Sequence, residues 1–156
     1  MTLTVWAWLA LGAYMIHICE EYFLNWRDWA RAVIGLPVTW SDFAVVNGAV
    51  IVLGIVQAEL AGSLPLIPLI YSALLLINAT FFHVGQVVKT RGRFSPGVIS
   101  AVILFYPIAI GTYREAALAG HLGLGTLLGS VVGGALLMAM PIVLLKLRDR
   151  PYFRQS

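Results

Sequence analysis

The sequence predicts an all-α fold: a polytopic bundle of five transmembrane helices, with a short interfacial helix between spans one and two. Three observations predict it. The 156 residues are 60% hydrophobic and only 11% charged, and the mean hydropathy is +0.90. A water-soluble domain of this length cannot bury so much apolar surface, since about half apolar is usual. Five apolar runs, at about 4–24, 42–61, 64–87, 96–114 and 122–145, are each long enough to cross a bilayer at about 1.5 Å per residue. Finally, the basic residues fall almost entirely on one side of that arrangement.

The elements follow in order. Residues 1–16 lack a basic n-region, and their apolar run leads straight into a polar cluster, so no cleavable signal peptide is expected. The connection 25–41 is the longest. Its Trp26, Trp29 and Trp40, with Arg27 and Arg31, fit a helix lying at the membrane interface. Ser41 or Asp42 is the expected cap of span two. The stretches "GSLP" (62–65) and "RFSPG" (93–97) turn the chain before spans three and four. Pro107 and Pro141 are expected to kink their spans. Gly125, Gly129 and Gly133 form a four-residue stripe on span five, suited to close helix contact within the chain or to a homo-oligomer. The whole of 1–156 reads as a single transmembrane domain.

Five spans place Arg114 alone on one side. Arg27, Arg31, Lys89, Arg91, Arg93, Lys146, Arg148, Arg150 and Arg154 lie on the other. That bias predicts an outside N-terminus and a cytoplasmic C-terminus. It also accounts for the net charge of +3 without a nucleic-acid partner. The single cysteine, Cys19, excludes an internal disulfide and a cysteine-based zinc knuckle. No nucleotide or flavin signature is present.

The same topology brings the costly residues to one depth. His17, Glu20 and Glu21 fall near the inner end of span one, and Asn47 in the first turns of span two. Asn78, Thr80, His83 and Gln86 fall in the inner half of span three. Ionisable groups at membrane depth cost a few kcal/mol each, which makes a functional site the default expectation. On α-helical geometry, Tyr14, His17 and Glu21 share a face, while Glu20 and Glu21 lie about 100° apart. Thr80, His83 and Gln86 share another stripe, with Asn78 about 140° from His83 and facing a different neighbour.

Two imidazoles and a carboxylate suit a divalent metal such as Zn, Fe or Mn. The expected ligands are His17, His83 and one of Glu20 or Glu21, and of the two Glu21 is taken as the ligand. The remaining glutamate orients a histidine or acts as a base. Glu20, Glu21 and Asn78 are the candidate catalytic residues. Tyr14, Asn47, Phe82, Gln86 and Tyr106 are expected to line a substrate site, with Phe81 and Phe105 adding to its apolar wall. Met138 and Met140 read as apolar filler, and His121 as an exposed loop residue. Glu115 is expected to pair with Arg114, and Gln57 and Glu59 to lie at headgroup level.

The motifs "HICEE" (17–21), "NATFFH" (78–83) and "RFSPG" (93–97) together resemble the HXXEE-motif family of bacterial integral membrane proteins of uncharacterised function. The resemblance covers most of the chain. It maps His17, Glu20 and Glu21 onto the first motif, Asn78 and His83 onto an Asn-before-His motif, and Pro96 and Gly97 onto a Tyr-x-Pro-Gly motif. Phe94 stands here in place of the tyrosine. The Asn-to-His spacing is one residue longer than in the family pattern. The resemblance implies a bacterial inner membrane location but no reaction.

Three functions fit these features. The first is a metal-dependent or acid–base membrane enzyme acting on a lipophilic small molecule from the bilayer, with a metal-free carbocation-type isomerase or cyclase as a variant. The second is a proton- or cation-coupled transporter or channel subunit. The third is a structural membrane protein, for which neutral polar residues would suffice at lower cost.

Overall fold

The computed structural model describes residues 1–148, 150 and 152. Arg154, one of the nine cations on the basic side, lies outside them. Helix α1 (Leu3–Phe23) starts at Thr2, whose hydroxyl accepts the Val5 N–H at 3.3 Å. Asn25, in the left-handed region at φ 57°, turns the chain into α2 (Trp26–Val33). This short helix is amphipathic. It buries Trp29 and Ala30 against Val38, and carries the Arg27–Asp28 pair on its outer face. Hydrogen bonds from Arg27 and Asn25 hold the Asp28 carboxyl below its ordinary pKa. The Arg27 guanidinium also lies 5.3 Å from the Trp40 ring centroid.

Helix α3 (Trp40–Leu60) starts earlier than expected, and Thr39 rather than Ser41 or Asp42 is its cap. The Thr39 hydroxyl accepts the Asp42 N–H, and the Asp42 carboxylate reaches back to the Thr39 N–H at 2.8 Å. This is a capping box, in which two otherwise orphaned donors are satisfied together. Helices α4 (Leu66–Lys89), α5 (Val98–Leu118) and α6 (Leu124–Arg148) complete the five apolar helices among the described residues that are long enough to span a membrane.

Two of these helices are not α-helical throughout. Asn78–Val84 in α4 and Ala101–Phe105 in α5 are π-helical, and the two segments pack against each other. Pro107, which offers no N–H to the ladder, is the second residue beyond the second segment. At the end of the first, the Gly85 N–H bonds back five residues to the Thr80 carbonyl.

Helix α1 packs on α3 and α5, and α4 packs most extensively on α6. Small residues make the second contact close. A Cβ on Gly134 would lie 2.6 Å from Ala73 Cβ, and one on Gly133 2.9 Å from Ile70. The stripe is therefore partly used inside the chain, since Gly129 also faces Leu66 and only Gly125 is open. Large apolar side chains such as Leu128, Val131, Leu136, Ile103 and Phe81 cover the outside. Such a surface requires lipid, so the protein is integral to a membrane.

Two expectations at the far end are corrected. Glu115 lies 3.6 Å from the Met1 amino group rather than paired with Arg114. Gln57 is buried and donates to the Ala7 carbonyl at 2.7 Å, joining α3 to α1. Glu59 is exposed, as is His121.

Candidate metal centre

Helical spacing puts His17 and Glu21 on one face of α1, one turn apart. The π segment of α4 supplies His83, and the turn Ser95–Pro96–Gly97 brings the start of α5 beside both. All three side chains are buried: His17 is 1% exposed, Glu21 6% and His83 0%. Glu21 Oε1 lies 3.6 Å from His17 Nε2 and 3.6 Å from His83 Nε2. Ligand atoms of the three residues fall within 4.8 Å of one another.

Those distances are too long for direct hydrogen bonds. Among the described residues neither Nε2 has a hydrogen-bond partner elsewhere, although both are buried. Such atoms normally find a partner, so each needs an explanation. Two imidazole nitrogens and a carboxylate oxygen gathered this closely are a donor set that would suit a divalent ion.

The opposite ring nitrogens are held. His17 Nδ1 lies 2.9 Å from Ser100 Oγ, and His83 Nδ1 lies 3.3 Å from Ser95 Oγ. The Ser100 hydroxyl donates to Glu20 Oε2 at 2.5 Å. Its single proton is thus committed, and the remaining assignment is that His17 Nδ1–H donates to Ser100 Oγ. That tautomer leaves a lone pair on Nε2, aimed at Glu21 and His83. Glu20 itself accepts the N–H groups of Gly97, Ile99 and Ser100 at 3.0, 3.2 and 2.7 Å. It caps α5, where a carboxylate suits the positive end of the helix. Glu21 faces the cluster and Glu20 does not.

Gly97 fills a double requirement. Its φ is 95°, and a Cβ there would lie 2.6 Å from His83 Cε1, 2.7 Å from His17 Cε1 and 3.0 Å from Glu21 Cγ. Any side chain would press into the space between the three candidate ligands.

A cavity of about 140 Å³ opens beside the cluster. Its polar lining is Tyr14, His17, Glu21, Asn47, Asn78 and His83, and Phe82 joins its apolar wall. The Tyr14 hydroxyl donates to Asn47 Oδ1, and Asn47 Nδ2 donates to the Phe43 carbonyl at 2.9 Å. Asn78 Oδ1 is buried without a partner.

The α-helical expectation for α4 fails here. Asn78 and His83 line the same cavity, because i→i+5 bonding brings residues five apart onto one face. The same change of phase takes Gln86 out of the lining, and its amide donates to the Phe81 carbonyl at 3.1 Å. Tyr106, behind the second π segment, is also outside the lining, and its hydroxyl lies 3.0 Å from Thr80 Oγ1. Phe81 is 63% exposed, whereas Phe105 is buried with its ring 4.5 Å from His17.

A profile described as a protein of unknown function with HXXEE motif matches residues 8–112. The chain belongs to the HXXEE family. His17, Glu20 and Glu21 are its namesake residues in this chain, so the family motif supplies one side of the cluster. No curated protein and no solved structure matches significantly.

Sequence reasoning missed Ser95 and Ser100, whose signal is only their position beside Pro96 and Gly97 at the start of a span. It also missed the roof of the cavity, made of Trp26, Ile34, Leu36 and Val38, and the wall from α6, Met138 and Pro141 among it.

Proposed function

We propose that the chain is a metal-dependent membrane enzyme acting on a lipophilic substrate. His17, Glu21 and His83 would hold one divalent ion, Zn, Fe or Mn. One observation carries the reading: two buried imidazole Nε2 atoms without hydrogen bonds converge on one carboxylate, beside a glycine that keeps the space between them open. A bound ion would supply Lewis-acid polarisation of a substrate oxygen or acidification of water. Three protein ligands, fewer than a closed structural site uses, leave a position for substrate.

The other residues take their parts from where they sit. Glu20 is a positioning residue that acts through Ser100 on the His17 tautomer. Asn78, with its unpartnered Oδ1, and the Tyr14–Asn47 pair offer polar contacts to a substrate, and Phe82 packs its apolar part. Gln86 and Tyr106 have no role in this reading. The cation bias supports a site at the cytoplasmic side, and in this reading the chain is a single transmembrane domain of a bacterial inner membrane. Any homo-oligomer would use the open Gly125 end of the glycine stripe.

The test is metal analysis of protein purified in detergent without added chelator. Close to one equivalent of Zn, Fe or Mn is expected in the wild type, and less than a tenth of that in His17→Ala, His83→Ala and Glu21→Gln. Wild-type metal at background, or unchanged content in His83→Ala, overturns the proposal.

A further inference from the structure

A second cavity of about 160 Å³ lies between α3 and α6. Val46, Pro141 and Leu145 line both it and the cavity beside the metal ligands, so the two share a wall. Helix α6 is held mainly by α4 and touches α3 sparsely. Where α3 and α6 do meet at the bundle end, the Arg148 guanidinium pairs with Asp42 and donates to the Pro37 carbonyl at 3.3 Å. One side chain thus links α6, the start of α3 and the loop that roofs the inner cavity.

Resting on the enzyme reading above, we propose that the substrate is an anionic long-chain amphiphile that enters sideways from the bilayer between α3 and α6. Its reacting part is the region next to its headgroup. The chemistry of the path supports the class. Beyond the Asp42–Arg148 pair the lining is hydrocarbon, Val45, Val46, Pro141, Leu144 and Leu145, which suits an alkyl or prenyl chain. Depth supports the reacting region. Asn47 is seven residues from the start of α3, and His17 six residues before the end of α1, so they lie roughly 9–11 Å inside the helix ends. The hydrocarbon half-thickness is about 15 Å, so the middle of a chain would lie deeper. The charge of the head follows from Arg27, Arg31, Lys89, Arg91, Arg93 and Lys146 around this end, which concentrate anionic amphiphiles.

The test uses two palmitic acid probes in phosphatidylethanolamine vesicles, one with a diazirine near the carboxyl group and one with it near the methyl end. After irradiation, labelled residues are mapped by mass spectrometry, and metal content is measured on the same preparations. The carboxyl-proximal probe is expected to label Val46, Asn47 and the His83 peptide, and the distal probe the outer residues of α3 and α6. Val46→Trp and, independently, Leu145→Trp should cut cavity labelling at least fivefold with metal retained. Leu128→Trp, on the lipid-facing side of α6, should leave it unchanged, and Asp42→Asn should raise it. Equal labelling of Leu128 and Val46, the reverse probe order, or cavity labelling indifferent to both tryptophans overturns the route. Metal bound without cavity labelling overturns the route and leaves the metal site standing. Cavity labelling without metal supports the route and overturns the metal.

Discussion

The two halves of the bundle treat buried polar groups differently. In the half away from the cations, the buried hydrogen bonds between helices are neutral, and the Met1–Glu115 ion pair there is partly exposed. Gln57 donates to the Ala7 carbonyl, and the Tyr113 hydroxyl joins Ser130 at 2.8 Å and the Leu69 carbonyl at 3.2 Å. Alanines 7, 58 and 61 let α1 and α3 meet closely there. In the basic half, two imidazoles and a carboxylate are buried with their reactive atoms converging. Neutral groups suffice to hold such helices together, at about 0.6 kcal/mol per interhelical hydrogen bond. Charged ones cost several kcal/mol more, so the basic half carries an expense that packing alone does not explain.

Substitutions in each half test that contrast. The largest effect is expected from Gly97→Ala. It strains a backbone at φ 95°, costing about 1–3 kcal/mol, and its methyl enters the ligand space. Metal content should fall to background and the melting temperature should drop together, read by elemental analysis and by thermal unfolding in detergent. Retained metal would mean that the three residues do not share one ion. Ser100→Ala should come next. It removes the link between Glu20 and His17, and metal affinity should weaken roughly 10- to 100-fold with unfolding little changed. Titration against a competing chelator measures this, and an unchanged affinity would remove Glu20 from the metal centre. The smallest effect belongs to the other half. Gln57→Leu loses one interhelical bond and should cost no more than about 1 kcal/mol, with metal content at the wild-type value. A metal loss there would show that the halves are not separable.

Much of this contrast was legible in the sequence. Hydropathy located the five spans, and the depth set by the cations brought His17, Glu21, Asn47, Asn78 and His83 to one level. The family motif picked out the same residues of α1. Three things were not legible. Which glutamate faces inward depends on how α5 starts, because Glu20 is drawn off by three N–H groups at its first turn. The cap of α3 was misplaced because Ser41, Asp42 and Thr39 are all good capping residues, and only backbone geometry chooses among them. Gln86 was placed with His83 by a 3.6-residue period, which holds only where the ladder is i→i+4, and Tyr106 was placed only by its aromatic ring. Nothing in "NATFFH" or "AVILF" announces a π segment, and each packs against the other across the α4–α5 contact.

The π segment at Asn78–Val84 loosens the link between spacing and site. A π turn holds one residue more than an α turn needs. Deleting a single lipid-facing residue there, such as Phe81, would let the helix close up in ordinary register. Asn78 and His83 would then stand four apart on an α-helix, where residues again share a face, and later side chains would keep nearly their present direction. Two sequences could therefore differ by one codon between these two residues, one with a π bulge and one without, and still present the same pair to the cavity.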